Sequence, residues 1–365
     1  MKVLIADKFE KVGVDGLKEL GCTVVSEPDV KAEGLPALIR QVDPNILIVR
    51  GKKVNAQALG AGTALTLVIR AGAGIDTIDV AAASDLGVFV SNCPGKNSIA
   101  VAELVLGLLL ACDRRIPDQV AELRQGKWNK AEYSKARGLY GRTLGIVGLG
   151  QIGREVAQRA RAFGMRVVAW SRNLTHEEAD RIGVVYAQTP LEVARHADAV
   201  TINVAATGET KHLVDAEFLA AMKPGAYLIN TARGDIVDEA ALARALAAGT
   251  IAGAGLDVYE DEPLTDIRHP LLAMDNVVCT PHIGYVTREE YEIQFADIFD
   301  QIVAYAAGNP TNVVNPDVGT LTTMRASLPL APPPAHAVAA NSAAAALVAR
   351  SIAYRRWMRA RPSAI

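Results

Sequence analysis

Three charged residues stand just past three short apolar runs: Arg233 after 226–230 (AYLIN), Glu262 after 254–258 (AGLDV) and His282 after 276–280 (NVVCT). They are 29 and 20 residues apart, so no helix or hairpin makes them neighbours. What they share is position, each on the loop beyond the C-terminal end of a predicted strand. Open parallel sheets bind ligands at that edge. Their types suit one chemistry. An Arg guanidinium matches a carboxylate in a planar, bidentate way. Hydride delivery to the carbonyl of a 2-oxo acid leaves an alkoxide that needs a proton; a His gives that proton, and takes it back in the oxidation direction. A Glu hydrogen-bonded to the imidazole fixes its tautomer and favours its protonated form. Taken singly, the three read as a surface ion pair, a loop acid and a hydrogen-bonded loop histidine. Taken together at one sheet edge, they read as a catalytic set.

A fourth loop opens at the same edge. Gly148-Leu149-Gly150-Gln151-Ile152-Gly153 follows the run 144–148 and starts the helical stretch REVAQRARAFG. In a strand–turn–helix setting the three glycines serve the tight turn, the approach of backbone to a pyrophosphate, and close packing of helix on strand. The N–H groups at the helix start then bind the pyrophosphate. A nicotinamide dinucleotide is the cofactor this pattern predicts. The next run ends at Trp170, followed by Ser171 and Arg172, where an NAD site usually carries an acid for the ribose hydroxyls. A neutral Ser beside an Arg leans towards a 2′-phosphate and hence NADP. The alternative is that Arg172 stacks on adenine or points to solvent and the cofactor is NAD.

The elements that must position these loops are legible as alternating apolar runs and amphipathic stretches. Strands are predicted at 2–6, 22–25, 45–49, 66–70 and 88–90, with helical patterns at 10–20 and 35–41 between them. Strands buried on both faces imply a parallel sheet covered by helices. A helix apolar nearly all round, 98–112, is expected between packed layers. The pattern then restarts at 144–148, 166–170, 184–186, 198–203, 226–230, 254–258 and 276–280, and ends in a helix over about 287–308. The fold class is α/β.

The chain has 365 residues and a net charge of −2, with 38 basic and 40 acidic side chains. Residues 317–365 hold six Arg, no Lys and one acid, which makes that tail +5 and leaves −7 on 1–316. An acidic body argues against nucleic-acid binding. No apolar run has the ~18–20 residues of a membrane span, and the start lacks a signal peptide's long apolar stretch. Cys22, Cys93, Cys112 and Cys279 form no C-x-x-C pair, so reduced packed thiols in a cytosolic protein are expected, with no metal site. The tail, with Pro332-Pro333-Pro334 and the run Ala343 to Ala346, reads as a flexible, disordered appendage.

These residues resemble the D-isomer-specific 2-hydroxyacid dehydrogenases. The likeness covers about residues 1–316 and rests on GLGQIG (148–153), NTARGDIVDE (230–239), AGLDV (254–258), DEP (261–263) and PHIG (281–284). It implies catalytic roles for Arg233, Glu262 and His282, and two Rossmann-like domains around a cleft. One is a flavodoxin-like substrate domain (1–97 plus 288–316); the other is a doubly wound coenzyme domain (98–287). It implies a homodimer, and it places Thr231, Ala232, Asp257 and Gly284 along the coenzyme with the glycine loop, Ser171 and Arg172. Within the family the chain looks most like D-3-phosphoglycerate dehydrogenases lacking a regulatory domain, through VRGKKV (49–54), RAGAGID (70–76), NCPGKNS (92–98) and KARG (135–138). A phosphorylated substrate needs extra cations, and Arg50, Lys52, Lys53, Lys96, Lys135 and Arg137 are available; Ala73 and Gly74 offer backbone N–H groups to a carboxylate. The absent acid at 171 and a bulky Tyr285 near His282 depart from that pattern and also fit a glyoxylate/hydroxypyruvate reductase. A dinucleotide-sensing corepressor-like binding protein is the non-enzymatic alternative.

Overall fold

The computed structural model describes residues 1–266 and 268–318. The expectation for the tail concerns 317–365, and all of it beyond 318 lies outside the described residues. The chain forms two compact units, Met1–Lys96 with the segment from Thr287, and Asn97–Val286.

The first unit opens with β1 (Lys2–Ile5), α1 (Lys11–Glu19), β2 (Thr23–Ser26), α2 (Leu35–Val42) and β3 (Ile46–Val49). It continues with α3 (Ala56–Leu59), β4 (Leu67–Arg70), α4 (Val80–Asp85) and β5 (Phe89–Asn92). The strands are parallel in the order β2-β1-β3-β4-β5. That is the flavodoxin-like order, with its switch point between β1 and β3. All four residues of β3 are buried, as a central parallel strand covered on both faces requires.

The second unit begins with α5 (Ser98–Arg114) and α6 (Ile116–Arg124). There follow β6 (Thr143–Val147), α7 (Gln151–Ala162), β7 (Arg166–Trp170), α8 (His176–Ile182), β8 (Val185–Tyr186), α9 (Pro190–His196) and β9 (Ala199–Ile202). It closes with α10 (Ala216–Ala221), β10 (Tyr227–Asn230), α11 (Glu239–Ala247), β11 (Gly253–Leu256) and β12 (Val277–Cys279). Its parallel order is β12-β11-β10-β9-β6-β7-β8, a doubly wound sheet whose order reverses between β6 and β9. The apolar helix α5 packs on α7 and on β10 and β11, burying Val101, Val105, Leu108 and Leu109 and exposing only a narrow line through Glu103 and Gly107.

The last helix, α12 (Arg288–Ala306), belongs to the first unit. Thr287 caps it by accepting from the Glu290 N–H, and Phe295, Ile298, Phe299 and Ile302 enter the core that holds Leu17, Ile46 and Phe89. The short helices α3, α4 and α6 have no counterpart in the periodicity; four to nine residues carry too few turns to show one. Among the described residues no helix is long and apolar enough to cross a membrane.

Candidate active site

The glycine turn lies at the switch point of the second sheet. Gly148 has φ +102°, and a Cβ there would stand 2.7 Å from the Asn203 carbonyl, on the chain leaving β9. Gly153 is equally constrained, because a Cβ would meet the Gly148 oxygen at 2.2 Å. Gly150 differs. Its backbone is extended, at φ −76° and ψ −156°, and a Cβ would meet no protein atom within 4 Å. Neither strain nor packing in the protein demands glycine at 150. A side chain would instead stand in the approach to the start of α7, where the N–H groups of the first turn, from Gln151 to Gly153, have no partner inside the helix. Two buried polar atoms with no partner, Asn203 Oδ1 and Thr231 Oγ1, belong to residues that follow the neighbouring strands β9 and β10. This set fits a dinucleotide. Ser171 follows β7 with Arg172, which is exposed and 3.7 Å from Glu209, itself exposed.

Arg233, Glu262 and His282 all belong to this unit, on the loops after β10, β11 and β12. The His282 Nδ1 lies 2.6 Å from Glu262 Oε2, and the other carboxylate oxygen accepts from the Tyr259 N–H at 3.0 Å. Burial pushes the Glu262 carboxyl up, but the His282 hydrogen bond and charge, the Tyr259 N–H and the Arg233 charge outweigh it and hold it below its ordinary range. Arg233 is half-buried, with Nη1 donating to the Ala232 carbonyl at 2.7 Å. The Asn230 side chain folds this turn by donating to the Arg233 carbonyl and accepting from the Ala232 N–H. Gly234 lets the turn press on the next loop, since a Cβ would stand 1.8 Å from the Tyr259 carbonyl carbon. Tyr285 meets the His282 ring edge-on, with centroids 6.1 Å apart.

His282 itself has φ +53°, and the segment that holds it there is anchored by Asp257. That side chain is 1% exposed. One of its oxygens accepts from Thr280 Oγ1 (2.6 Å) and the Ile283 N–H (2.8 Å), the other from the Gly284 N–H (2.7 Å). Burial raises its pKa against the pull of these three donors. Asp257 thus fixes, through the Gly284 and Ile283 N–H groups and Thr280, the segment that carries the imidazole.

In the first unit, Arg50 and the 70–74 loop also lie at the C-terminal edge. The Asp7 carboxylate, after β1, accepts from the N–H groups of Arg50, Gly51 and Lys52. Arg50 is 9% exposed, lies over the Tyr291 ring at 4.7 Å and donates to Gln294 Oε1 at 3.1 Å. Ala73 accepts from the Asn92 side chain at 2.6 Å, and it and Gly74 are half-buried. Several other cations are tied within their own units: Lys52 to the carbonyls of Pro28 and Val30, Lys96 to Asp297, Lys135 to Glu132.

Residues 106–284 match the model of the family described as D-isomer specific 2-hydroxyacid dehydrogenase, NAD binding domain. A hydroxypyruvate reductase from Thermotoga maritima is 40% identical over 290 residues, 79% of this chain and 92% of that one. The chain belongs to the D-isomer-specific 2-hydroxyacid dehydrogenase family. Its second unit is the family's NAD(P)-binding domain, and the order of both sheets is that of two Rossmann-like folds. A D-3-phosphoglycerate dehydrogenase from Methanocaldococcus jannaschii is 39% identical over 317 residues, 86% of this chain but 59% of the relative's length. The chain therefore spans little more than half of such relatives. Among solved structures, an NADPH-dependent glyoxylate/hydroxypyruvate reductase from Sinorhizobium meliloti, in complex with NADP and malonate, superposes with a TM-score of 0.75 at 33% identity. That match covers 86% of this chain and 96% of the other.

For this dehydrogenase-family chain, Gly150→Val separates ligand space from fold. We expect a thermal midpoint within about 2 °C of wild type, as for a substitution without clash, and at least tenfold weaker NAD(P)H binding by fluorescence titration. A collapsed midpoint with unchanged binding would show that the glycine is structural. The residues not anticipated from sequence are Arg70, Glu290 and Gln294. Arg70 ends β4, and its guanidinium fills the space over Gly72, where a Cβ would lie 1.5 Å from Nη1. Its place before the Ala71–Gly74 loop was the available signal.

Proposed function

We propose that this protein transfers a hydride between NAD(P) and a D-2-hydroxy acid/2-oxo acid pair, with D-3-phosphoglycerate and 3-phosphohydroxypyruvate as the substrates. The observation that carries the reading is the 2.6 Å pairing of His282 with Glu262 beside Arg233, at the sheet edge that also holds the glycine turn. In this reading Arg233 clamps the substrate carboxylate, Arg50 serves the phosphate, and the N–H groups around Ala73 and Gly74 are anion donors of the first unit. His282 presents Nε2 to the carbonyl oxygen, because Nδ1 is engaged by Glu262; it donates a proton in reduction and accepts one in oxidation. Glu262 stays ionised and steadies the imidazolium. When bound, the nicotinamide supplies or accepts the hydride; Gly148 to Gly153, Ser171, Arg172, Thr231 and Ala232 line its dinucleotide.

A glyoxylate/hydroxypyruvate reductase is the second reading. It is favoured by Tyr285 against the His282 ring and by Ser171-Arg172, which lean towards NADP. A homodimer belongs to the proposal too, supported by Trp128 and Tyr140, 83% and 88% exposed on the second unit, and so does a cytosolic setting, supported by four cysteines without a disulfide. The test is a panel of phosphohydroxypyruvate, hydroxypyruvate, glyoxylate and pyruvate with NADH and NADPH. We expect turnover, with kcat/KM highest for phosphohydroxypyruvate. A preference for hydroxypyruvate or glyoxylate selects the second reading, a clear preference for NADH removes the NADP lean, and coenzyme binding without turnover points to the corepressor-like alternative.

A further inference from the structure

A buried acid without a role in the chemistry above lies in the first unit, beside Arg50. Glu290, in the first turn of α12, is 2% exposed. Its Oε1 accepts from Gln294 Nε2 at 3.0 Å, and the Oε1 of that carboxamide accepts from Arg50 Nη2 at 3.1 Å. The chain Arg50–Gln294–Glu290 thus runs in one direction, and the Gln294 carboxamide, held by both ends, fixes where Glu290 lies. The second carboxyl oxygen, Oε2, is buried with no hydrogen-bond partner. A buried carboxylate with one donor is poorly solvated, and burial costs its charged form more than the neutral acid. The charges that face it are Arg50 after β3, Glu10 before α1 and Arg70 at the end of β4. Glu10 also stands 3.8 Å from Arg50.

We infer that Glu290 is a protonation-dependent counter-charge to Arg50 and so sets how well this protein accepts a substrate carrying a second anionic group. Protonated, Glu290 leaves the positive field of Arg50 and Arg70 to the ligand. Ionised, it competes for that field. Burial, partly offset by Arg50 and Arg70 and reinforced by the Glu10 charge, pushes its pKa up to about 7, so the change falls across neutral pH. This inference rests on the reading that Arg50 serves the substrate phosphate, and it concerns only the distal anion. A singly charged 2-hydroxy acid, held by its carboxylate elsewhere, should not feel it.

The sign on stability follows independently. A carboxyl whose folded pKa lies above its ordinary value binds its proton more tightly when folded, so stability is lost as pH rises from about 4.5 to about 7 and no further above. Glu290→Gln keeps the acceptor for Gln294 and abolishes the titration.

The experiment measures calorimetric Kd values of the coenzyme-loaded protein for D-3-phosphoglycerate and D-glycerate at pH 6 and pH 8, in wild type and E290Q. Thermal midpoints are taken at pH 5 and pH 8. We expect wild-type affinity for 3-phosphoglycerate to fall about tenfold relative to D-glycerate between pH 6 and 8, the scale of one screened unit charge near the ligand. E290Q should show no such fall, and its advantage in midpoint should grow from pH 5 to pH 8. Parallel pH profiles in both proteins overturn the inference, as does binding of neither ligand. Binding with the expected pattern but without turnover sinks the proposed reaction and leaves the inference standing.

Discussion

Replacing His282 lowers kcat for 2-oxo acid reduction by about 10²–10⁴, the usual worth of a positioned general acid, while the Kd for NAD(P)H changes less than about twofold, because no first-turn N–H or glycine is touched. The choice of substitute matters. His282 sits at φ +53°, a left-handed conformation that histidine tolerates better than alanine, so alanine adds backbone strain to the 280–284 segment that Asp257 anchors. Asparagine tolerates this region. His282→Asn is therefore the cleaner test: it keeps the loop and removes the acid, and it should lose as much kcat as His282→Ala with a smaller loss of stability. Stopped-flow reduction and coenzyme titration check both. Lost coenzyme affinity with retained kcat would contradict the role given to the imidazole. A second consequence concerns Glu262. Its carboxyl is held low largely by His282, so in either variant its pKa should climb back towards the ordinary carboxylate range.

How much of this was legible in the residues follows from what each signal depends on. The sheets were readable because central parallel strands are buried on both faces, so runs such as Ile46–Val49 and Thr143–Val147 announce themselves whatever surrounds them. The glycine turn was readable because its demands are local. The Arg233–Glu262–His282 set was readable from shared position at strand ends, although the 2.6 Å pairing of His282 with Glu262 is a contact between two loops, which spacing does not reveal. The family resemblance places Asp257 along the coenzyme, and beyond that its two oxygens hold the 280–284 loop. That use depends on a chain reversal after β12 that no periodicity encodes. Glu290 was hidden for a similar reason. Thr287 and Glu290 have the spacing of a helix capping box, and Thr287 does cap, but the glutamate turns inward to Gln294. Lys52 shows the converse. Its sequence position offers it to a phosphate, and it is bound to main-chain carbonyls of the 28–30 segment.

Arg233→Lys keeps the charge and should still cost about 10- to 100-fold in kcat/KM for any 2-oxo acid, the worth of a charge-assisted hydrogen bond of about 1.5–3 kcal/mol. The reason lies in geometry. The guanidinium is already aimed: Nη1 donates to the Ala232 carbonyl at 2.7 Å, and the turn beneath it is folded by both ends of the Asn230 carboxamide. A planar fork held at Nη1 is fixed in its plane, whereas an ammonium used on the carbonyl has lost its direction. The Arg233 charge also helps hold Glu262 ionised. Lysine preserves part of that field, so Arg233→Lys should act mainly through KM. Arg233→Ala removes both clamp and field, and should lower kcat as well, by about 10³ in kcat/KM when the two losses combine. Added guanidinium should restore part of the alanine variant's rate and none of the lysine variant's, because only the first leaves room for it. Steady-state kinetics with and without guanidinium decide the matter: an Arg233→Lys enzyme within threefold of wild type in kcat/KM would mean that the substrate carboxylate is held by other groups.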